Sequence, residues 1–186
     1  MTINYIKDLK ISGIKIITPQ VHKDYRGYFF ESFNMQDFKK MGLPTKFVQD
    51  NQSYSKKGTL RGLHYQLKYP QGKLARVIKG EVFDIAIDIR QGSRTFGKYE
   101  GVHLSDKNNK IMYIPEGFAH GYVVLSEAAI FQYKCTELFH PEDEYGLIWD
   151  DKDLNIKWPV KNPILSEKDK SLPTLQLING KILPKF

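Results

Sequence analysis

The chain has 186 residues, of which 26% are charged and 41% hydrophobic, a composition typical of one globular domain that excludes a disordered chain. Its formal net charge is +7, but the basic residues are scattered, and the only adjacent pairs are Lys39-Lys40 and Lys56-Lys57. We therefore expect a basic surface or a site for an anionic small molecule, and no binding to nucleic acid.

Strand-like segments dominate the chain and recur at intervals of roughly 8–12 residues, a spacing typical of a sandwich or a barrel. The ten predicted strands cover residues 13–18, 27–33, 46–55, 59–67, 73–78, 81–89, 99–104, 110–114, 117–125 and 128–136. Residues 81–89 alternate most clearly, with one face formed by Phe83, Ile85, Ile87 and Ile89. The opposite face carries Val82, Asp84, Ala86 and Asp88.

One helix is predicted in the first half of the chain, over residues 34–41. Asn34 can cap it, and its apolar stripe comprises Met35, Phe38 and Met41. Residues 166–169 resemble the start of a second short helix, and the last residues are expected to form an irregular tail. The sequence thus predicts an all-β, cupin-like jelly-roll barrel with a few short helices. It would be a single domain over residues 1–186, with a core of about residues 10–172 and a C-terminal tail at 173–186.

Cellular location is predicted from the lone cysteine and from the N-terminus. Cys135 cannot form an internal disulfide and lies in an apolar run, which predicts a buried, unreactive thiol. The first residues lack the apolar stretch of a signal peptide, and no segment is apolar enough to span a membrane. We therefore expect a cytoplasmic protein that does not bind membranes.

Two histidines have polar neighbours that could form a site, His64 in a predicted strand and His120 just after a Pro-Gly turn. Histidine is the commonest metal ligand, so a barrel with two such residues could hold a metal. Position 66 is Gln, however, so no His-x-His pair exists, and no Glu follows His64 closely. Because a metal would have too few good ligands, we expect no metal site.

The strand that contains His64 also contains Arg61, which strict alternation would place on the opposite face. A bulge at Gly62 would bring both side chains to one face. The preceding strand carries Gln49 and Asn51 and the following one carries Lys73, so neighbouring strands would gather these groups into one polar patch. Such a patch at the mouth of a barrel is typical of a ligand site, because polar groups are costly to bury without partners.

Nine motifs, in order, resemble those of the dTDP-4-dehydrorhamnose 3,5-epimerase family over about residues 10–172. They are DYRGYFFES (24–32), VQDN (48–51), LRGLHYQ (60–66), QGKL (71–74), GEVFD (80–84), IPEGFAHG (114–121), YK (133–134), WDD (149–151) and LSEKD (165–169). Each motif alone is weak, but the ordered set is specific. The resemblance implies a dimeric cupin-like barrel that needs no metal or other cofactor and acts on a dTDP-linked 4-keto-6-deoxyhexose.

The resemblance also implies catalytic roles for four residues. His64 would be the base, and Asp169 would orient its ring and stabilise the imidazolium. Lys73 would stabilise the oxyanion at C4, and Tyr133 would deliver a proton from the opposite face, mainly at C5. From the residues alone, Asp169 would be an exposed acid in the tail.

Binding roles follow from the same resemblance. Arg26 and Arg61 would contact the diphosphate, and residues 26–31 would cross to the neighbouring subunit of a homodimer. In that segment Phe29 would stack on thymine and Glu31 would contact the nucleotide. The remaining contacts implied are those of Gln49, Asn51, Glu144 and Lys168 with the nucleotide and of His120 with the sugar. For Phe139, stacking on the ligand and packing in the core both stay open.

Three alternatives remain at this stage. Relatives that invert only C3 or only C5, or that isomerise the ketone, share much of the motif set. A non-catalytic barrel could bind a sugar nucleotide without exchanging protons. A metal-dependent cupin oxygenase or isomerase would require a bound transition metal.

Overall fold

The computed structural model describes residues 3–178 and 180–186, and in these ranges it contains thirteen strands and two α-helices. The strands are β1 (Ile3–Asp8), β2 (Lys15–Pro19), β3 (His22–Asp24), β4 (Gly27–Phe29), β5 (Gln49–Lys56), β6 (Leu60–Gln66), β7 (Lys73–Lys79), β8 (Glu81–Asp88), β9 (Tyr99–Ser105), β10 (Ile111–Ile114), β11 (Phe118–Val124), β12 (Ala128–Cys135) and β13 (Glu144–Gly146). The helices are α1 (Met35–Lys40) and α2 (Glu167–Lys170), with 3-10 turns at Pro141–Asp143 and Gly180–Ile182.

Two antiparallel sheets face each other. A six-stranded sheet has the order β1-β2-β10-β7-β12-β5, a five-stranded sheet has the order β13-β6-β11-β8-β9, and β3 and β4 form a separate hairpin. The main core lies between the sheets and includes Val77, Ala86, Met112 and Phe131. The all-β prediction is confirmed, because all ten predicted strands occur within a few residues of their predicted bounds.

Alternation in β8 explains how the layers assemble. Val82 and Ala86 point into the core between the sheets, while Ile85 and Ile87 belong to a second apolar cluster on the outer face of the five-stranded sheet. Both faces of β8 are therefore buried. Asp84 lies on the inward face with no exposed surface, a position that a charged residue occupies only with partners.

Helix α1 covers the outer face of the six-stranded sheet. Asn34 caps it, because its side chain accepts hydrogen bonds from the backbone N–H groups of Gln36 and Asp37. Phe38 is buried in a third apolar cluster, as predicted, but Met35 is exposed and does not belong to the stripe. Neither helix, nor any other in the part of the chain that the structure describes, is long and apolar enough to cross a membrane.

Sequence patterns missed β1, β3 and β13, and predicted β4 too long. Strand β3 is three exposed polar residues, and β13 is similarly short, so neither gives an alternating apolar signal. The strand predicted over residues 27–33 ends at Phe29, because β4 pairs only with the three residues of β3.

The last residues fold back onto the barrel instead of forming a tail outside the core. Ile178 and Leu183 pack in the second apolar cluster with the outward residues of β8. Backbone hydrogen bonds fix this segment, since Gln91 N–H donates to Pro184 and Phe186 N–H donates to Gln91. The core therefore extends beyond residue 172, and β1 extends it before residue 10.

A truncated side chain in this segment should lower the stability of the whole barrel. Leu183 is 7% exposed, and we expect Leu183→Ala to lower the free energy of unfolding by about 2–4 kcal/mol, because it leaves a cavity in the second cluster. The matched control is Leu177→Ala, at a leucine that is 78% exposed, which should change stability by less than about 0.5 kcal/mol. Chemical denaturation measures both, and equal effects would contradict the packing of the tail.

Candidate active site

A cavity of about 520 Å³ lies between the two sheets. One wall is formed by β5, β7 and β12 of the six-stranded sheet, and the other by β6 and β11 of the five-stranded sheet. The segment around α2 covers one side. Of the residues with predicted roles, the cavity is lined by Asn51, Arg61, His64, Lys73, His120, Tyr133, Lys168 and Asp169.

His64 and Asp169 form a hydrogen-bonded pair on one wall. Nε2 of His64 lies 2.8 Å from Oδ1 of Asp169, although 105 residues separate them in sequence. Ser166 caps α2 and places Asp169 against β6, where it is only 4% exposed. The expectation of an exposed tail acid is therefore wrong. Burial opposes ionisation of Asp169, but the hydrogen bond and charge of His64 outweigh it, so its pKa is lowered.

A second carboxylate faces the other nitrogen of the same ring. Oε1 of Glu144, on β13, lies 3.6 Å from Nδ1 of His64. Glu144 also forms an ion pair with Lys168 of α2. The imidazole thus lies between two carboxylates, and Lys168 balances one of them.

An irregularity in β6 places Arg61 and His64 in the same cavity. His64 pairs with His120 and Arg61 with Tyr122, so β6 has one residue more than β11 between these pairs. Gly62 has a φ of +124°, and a Cβ there would lie 2.5 Å from the backbone of Gly121. Only glycine fits, and the predicted bulge is confirmed.

Lys73 and Tyr133 occupy the opposite wall, on β7 and β12. Nζ of Lys73 lies 5.8 Å from the centre of the Tyr133 ring. Burial lowers the pKa of Lys73 and raises the pKa of Tyr133, so the phenol stays protonated at neutral pH. Within residues 3–178 and 180–186, neither the ammonium nor the phenol has a hydrogen-bond partner, so both can bind a ligand.

His120 has a buried partner that the sequence reasoning did not identify as functional. Its Nε2 lies 2.6 Å from Oδ1 of Asp84, and burial lowers the pKa of His120 although the carboxylate acts in the opposite direction. Oδ2 of Asp84 has no hydrogen-bond partner among the described residues. The available signal was a charged residue at an inward position of an apolar strand.

The polar patch forms, but by a different route from the one predicted. Strands β5 and β7 lie in the six-stranded sheet and β6 in the five-stranded sheet, so consecutive strands face each other across the cavity instead of pairing. Gln49 lies beside the cavity, where it donates to Asn51 and accepts from the backbone N–H of Phe139. Phe139 is partly exposed and lines a smaller recess of about 70 Å³ next to His64 and Glu144.

Arg26, Phe29 and Glu31 are not brought to this cavity. Arg26 and Phe29 lie on the β3–β4 hairpin, where they line a separate concave surface. Arg26 pairs with Asp24 at 2.6 Å, and Phe29 is 67% exposed. Glu31 follows the hairpin and accepts a hydrogen bond from Asn34.

The side chain of Gln66, the position that argued against a metal, has a structural role. Its Nε2 donates to the carbonyls of Tyr69 and Leu138, and its Oε1 accepts from His140 N–H. Among the residues that the structure describes, no three His, Cys, Asp or Glu side chains cluster in a way that could hold a metal ion.

The two walls supply complementary acid–base groups. The His64–Asp169 pair can accept a proton on one side of a ligand, and the Tyr133 phenol can donate one on the other. Lys73 can stabilise negative charge that develops between them. The fold and site define an isomerase that inverts a carbon by proton transfer.

Comparison with known proteins identifies the family. Residues 8–176 match the dTDP-4-dehydrorhamnose 3,5-epimerase family. The enzyme of that name from Methanothermobacter thermautotrophicus is 53% identical over 169 residues, covering 89% of this chain and 91% of that protein. Its counterpart from Shigella flexneri is 54% identical over 168 residues, covering 89% and 92%.

The same conclusion follows from a solved structure. The dTDP-6-deoxy-D-glucose-3,5-epimerase of Legionella pneumophila Philadelphia 1, in complex with dTDP-4-keto-L-rhamnose, is 48% identical, superposes with a TM-score of 0.96 and covers 98% of both chains. The chain belongs to the dTDP-4-dehydrorhamnose 3,5-epimerase family. The predicted family and the predicted cupin-like barrel are confirmed.

Proposed function

We propose that this enzyme inverts C3 and C5 of dTDP-4-dehydro-6-deoxy-D-glucose to give dTDP-4-dehydro-L-rhamnose, in dTDP-rhamnose biosynthesis. The observation that carries the proposal is the placement of the His64–Asp169 pair and Tyr133 on opposite walls of one cavity. Inversion at C5 by a base and an acid uses this arrangement, because the proton leaves from one face of the sugar ring and another returns on the opposite face.

The proton transfers balance. His64 takes the proton from the carbon next to the ketone, and the electron pair of that C–H bond moves to the C4 oxygen as an enolate. Asp169 stabilises the imidazolium, and Lys73 stabilises the enolate oxygen. Tyr133 then protonates C5 from the opposite face, and its raised pKa keeps it protonated until that step. The proton at C3 is acidic for the same reason, so His64 would remove it in the same way, and a proton from solvent would then enter C3 from the opposite face. Solvent would also take the proton from the imidazolium and return one to the Tyr133 phenolate.

The cations and amides near the cavity would bind the rest of the ligand. Arg61 lines the cavity and would contact the diphosphate in a forked geometry. Glu144, Lys168 and Asn51 would contact the nucleotide, with Gln49 holding the amide of Asn51. Phe139, at the rim, has the exposed ring that stacking on a base needs.

A homodimer would complete this site. The β3–β4 hairpin is exposed and pairs with no other strand of its own chain in the described ranges, and Phe29 leaves most of its ring uncovered. We infer that the hairpin enters the cavity of a second subunit, where Phe29 stacks on thymine and Arg26 and Glu31 contact the nucleotide. A cytoplasmic location, with no membrane or nucleic-acid partner, fits a chain whose one cysteine is a buried free thiol.

Subunit mixing tests this exchange. Arg26→Ala and His64→Ala should each be nearly inactive alone. After co-refolding of the two variants, we expect about one quarter of the wild-type activity, because half of randomly paired dimers are mixed and each holds one intact site. If the hairpin serves its own subunit, no mixed dimer has an intact site and activity should not recover.

The reaction itself is tested in deuterated water. The protein is first treated exhaustively with a metal chelator and then incubated with dTDP-4-dehydro-6-deoxy-D-glucose. We expect the sugar to incorporate deuterium at C3 and C5, and NMR measures this incorporation. Exchange at one carbon only would indicate a mono-epimerase, and tight binding without exchange would indicate a binding protein. Loss of activity on chelation, restored by zinc or iron, would contradict metal independence.

A further inference from the structure

The inner face of β5 carries only polar side chains. Alternation directs Gln49, Asn51, Ser53 and Ser55 towards the space between the sheets, while the residues between them are exposed. Six residue steps along a strand span about 20 Å, which is long enough to follow an extended ligand. Gln49 and Asn51 have roles in the proposed nucleotide site, but Ser55 has none.

Ser55 makes a contact that joins the two walls of the cavity. Its Oγ accepts a hydrogen bond from Nε of Arg61 at 3.0 Å, although Ser55 belongs to the six-stranded sheet and Arg61 to the five-stranded sheet. Ser55 is only 5% exposed, so its hydroxyl is fixed by the surrounding barrel. The bond uses Nε, which leaves the two terminal nitrogens of the guanidinium to contact a ligand in the cavity.

The partner of Arg61 is neutral, like the Gln132 amide that accepts from Arg76, whereas two other arginines pair with carboxylates. Arg26 pairs with Asp24, and Arg90 pairs with Asp88. Over residues 3–178 and 180–186, no carboxylate lies within ion-pair distance of Arg61. A hydroxyl can orient the guanidinium without cancelling its charge, whereas a carboxylate would compete with a phosphate for the same donors.

We infer that Ser55 is a positioning residue, which holds the Arg61 guanidinium in the orientation that binds the diphosphate of the substrate. This inference rests on the proposed dTDP-sugar site. Ser55 would not touch the ligand or take part in proton transfer. Its loss should therefore weaken binding of the diphosphate and leave the chemical step unchanged.

Ser55→Ala tests the inference, because its effect on dTDP binding can be measured separately from its effect on turnover. We expect its Kd for dTDP, measured by calorimetry, to rise about tenfold, because Arg61 loses its fixed orientation. KM should rise with it while kcat stays within about twofold, since Ser55 acts on binding alone. Binding of thymidine, which lacks the diphosphate, should not change. Ser55→Thr keeps the hydroxyl and should restore the affinity.

Two further variants separate positioning from a general effect on folding. In an Arg61→Ala background, Ser55→Ala should cause no further loss of dTDP affinity, because the group that it positions is gone. Ser105→Ala removes another buried strand serine, on β9 and away from the cavity, and should leave dTDP binding unchanged. Should Ser55→Ala fail to fold, the Ser55→Thr affinity still decides, because a tenfold loss there would overturn the inference.

The outcomes for this inference and for the proposed function are distinct. If wild-type protein binds dTDP and turns over substrate but Ser55→Ala behaves like wild type, the inference is wrong and the function stands. The positioning role would also be wrong if kcat of Ser55→Ala fell as much as its dTDP affinity, or if its affinity for thymidine fell as much as its affinity for dTDP. If wild-type protein neither binds dTDP nor exchanges protons, both are wrong.

Discussion

Replacing His64 with alanine is expected to abolish deuterium uptake at both C3 and C5. Asp169 lies 2.8 Å from His64 and holds its ring on one wall of the cavity. In the proposed mechanism, both inversions begin when His64 removes a proton on that side. General-base catalysis contributes about 10²–10⁴-fold, so kcat should fall by about that factor. NMR of the substrate in deuterated water measures the exchange at each carbon separately. Rapid uptake by the variant would remove His64 from the mechanism.

The matched control is His103→Ala. His103 makes the same kind of pair, with Nδ1 2.8 Å from Oε1 of Glu81, but on the outer surface and away from the cavity, so its loss should leave activity unchanged.

Asp169→Asn keeps the shape of the carboxylate and removes its charge. It should cost about 10²-fold or more in kcat, because the imidazolium loses its stabilising partner. Full activity of Asp169→Asn would show that the pair is only structural.

Local patterns in the sequence were sufficient for much of the barrel and for part of the site. Alternation in β8 predicted which side chains share a face, because side chains in a strand alternate with a period of two, but it did not predict which face lies between the sheets. The bulge at Gly62 was predicted for the same reason. The bulge depends only on local sequence, because a glycine between Arg61 and His64 lets both side chains reach one face.

Contacts between distant segments could not be read from local patterns. Asp169 looks like a solvated acid in sequence, because nothing near it indicates that α2 packs against β6. The apolar residues of the tail, such as Leu183, form no periodic pattern, and their burial depends on the outer face of β8. Only the family resemblance indicated a role for Asp169. The position of Asp84, in contrast, is visible locally, because it is a charged residue on an apolar strand.

The order of the strands in space was the main error of local reasoning. Consecutive strands were expected to lie side by side, whereas β5, β6 and β7 alternate between the two sheets. This alternation matters for function. Because the sheets face each other, His64 on β6 lies across the cavity from Lys73 on β7 and Tyr133 on β12, and a base and an acid on opposite walls are what the proposed inversion uses.

Tyr133→Phe is expected to impair inversion at C5 much more than proton exchange at C3. Tyr133 lies on the wall opposite His64, and burial raises its pKa, so its phenol is a protonated donor at neutral pH. Phenylalanine keeps the ring and its packing and removes only the hydroxyl that would donate the proton. We expect inversion at C5 to slow by about 10²–10⁴-fold, while deuterium still enters at C3. Two-dimensional NMR of the products distinguishes the C3-inverted sugar from the doubly inverted one.

Tyr113→Phe is the matched control for this variant. Tyr113 lies on β10 of the same sheet, and burial raises its pKa as well, but it packs in the third apolar cluster outside the cavity. Its replacement should leave the ratio of C5 to C3 exchange unchanged, because it removes a buried hydroxyl without removing a proton donor from the cavity. If Tyr133→Phe slowed both carbons equally, the phenol would be a general contributor to binding and not the donor for C5.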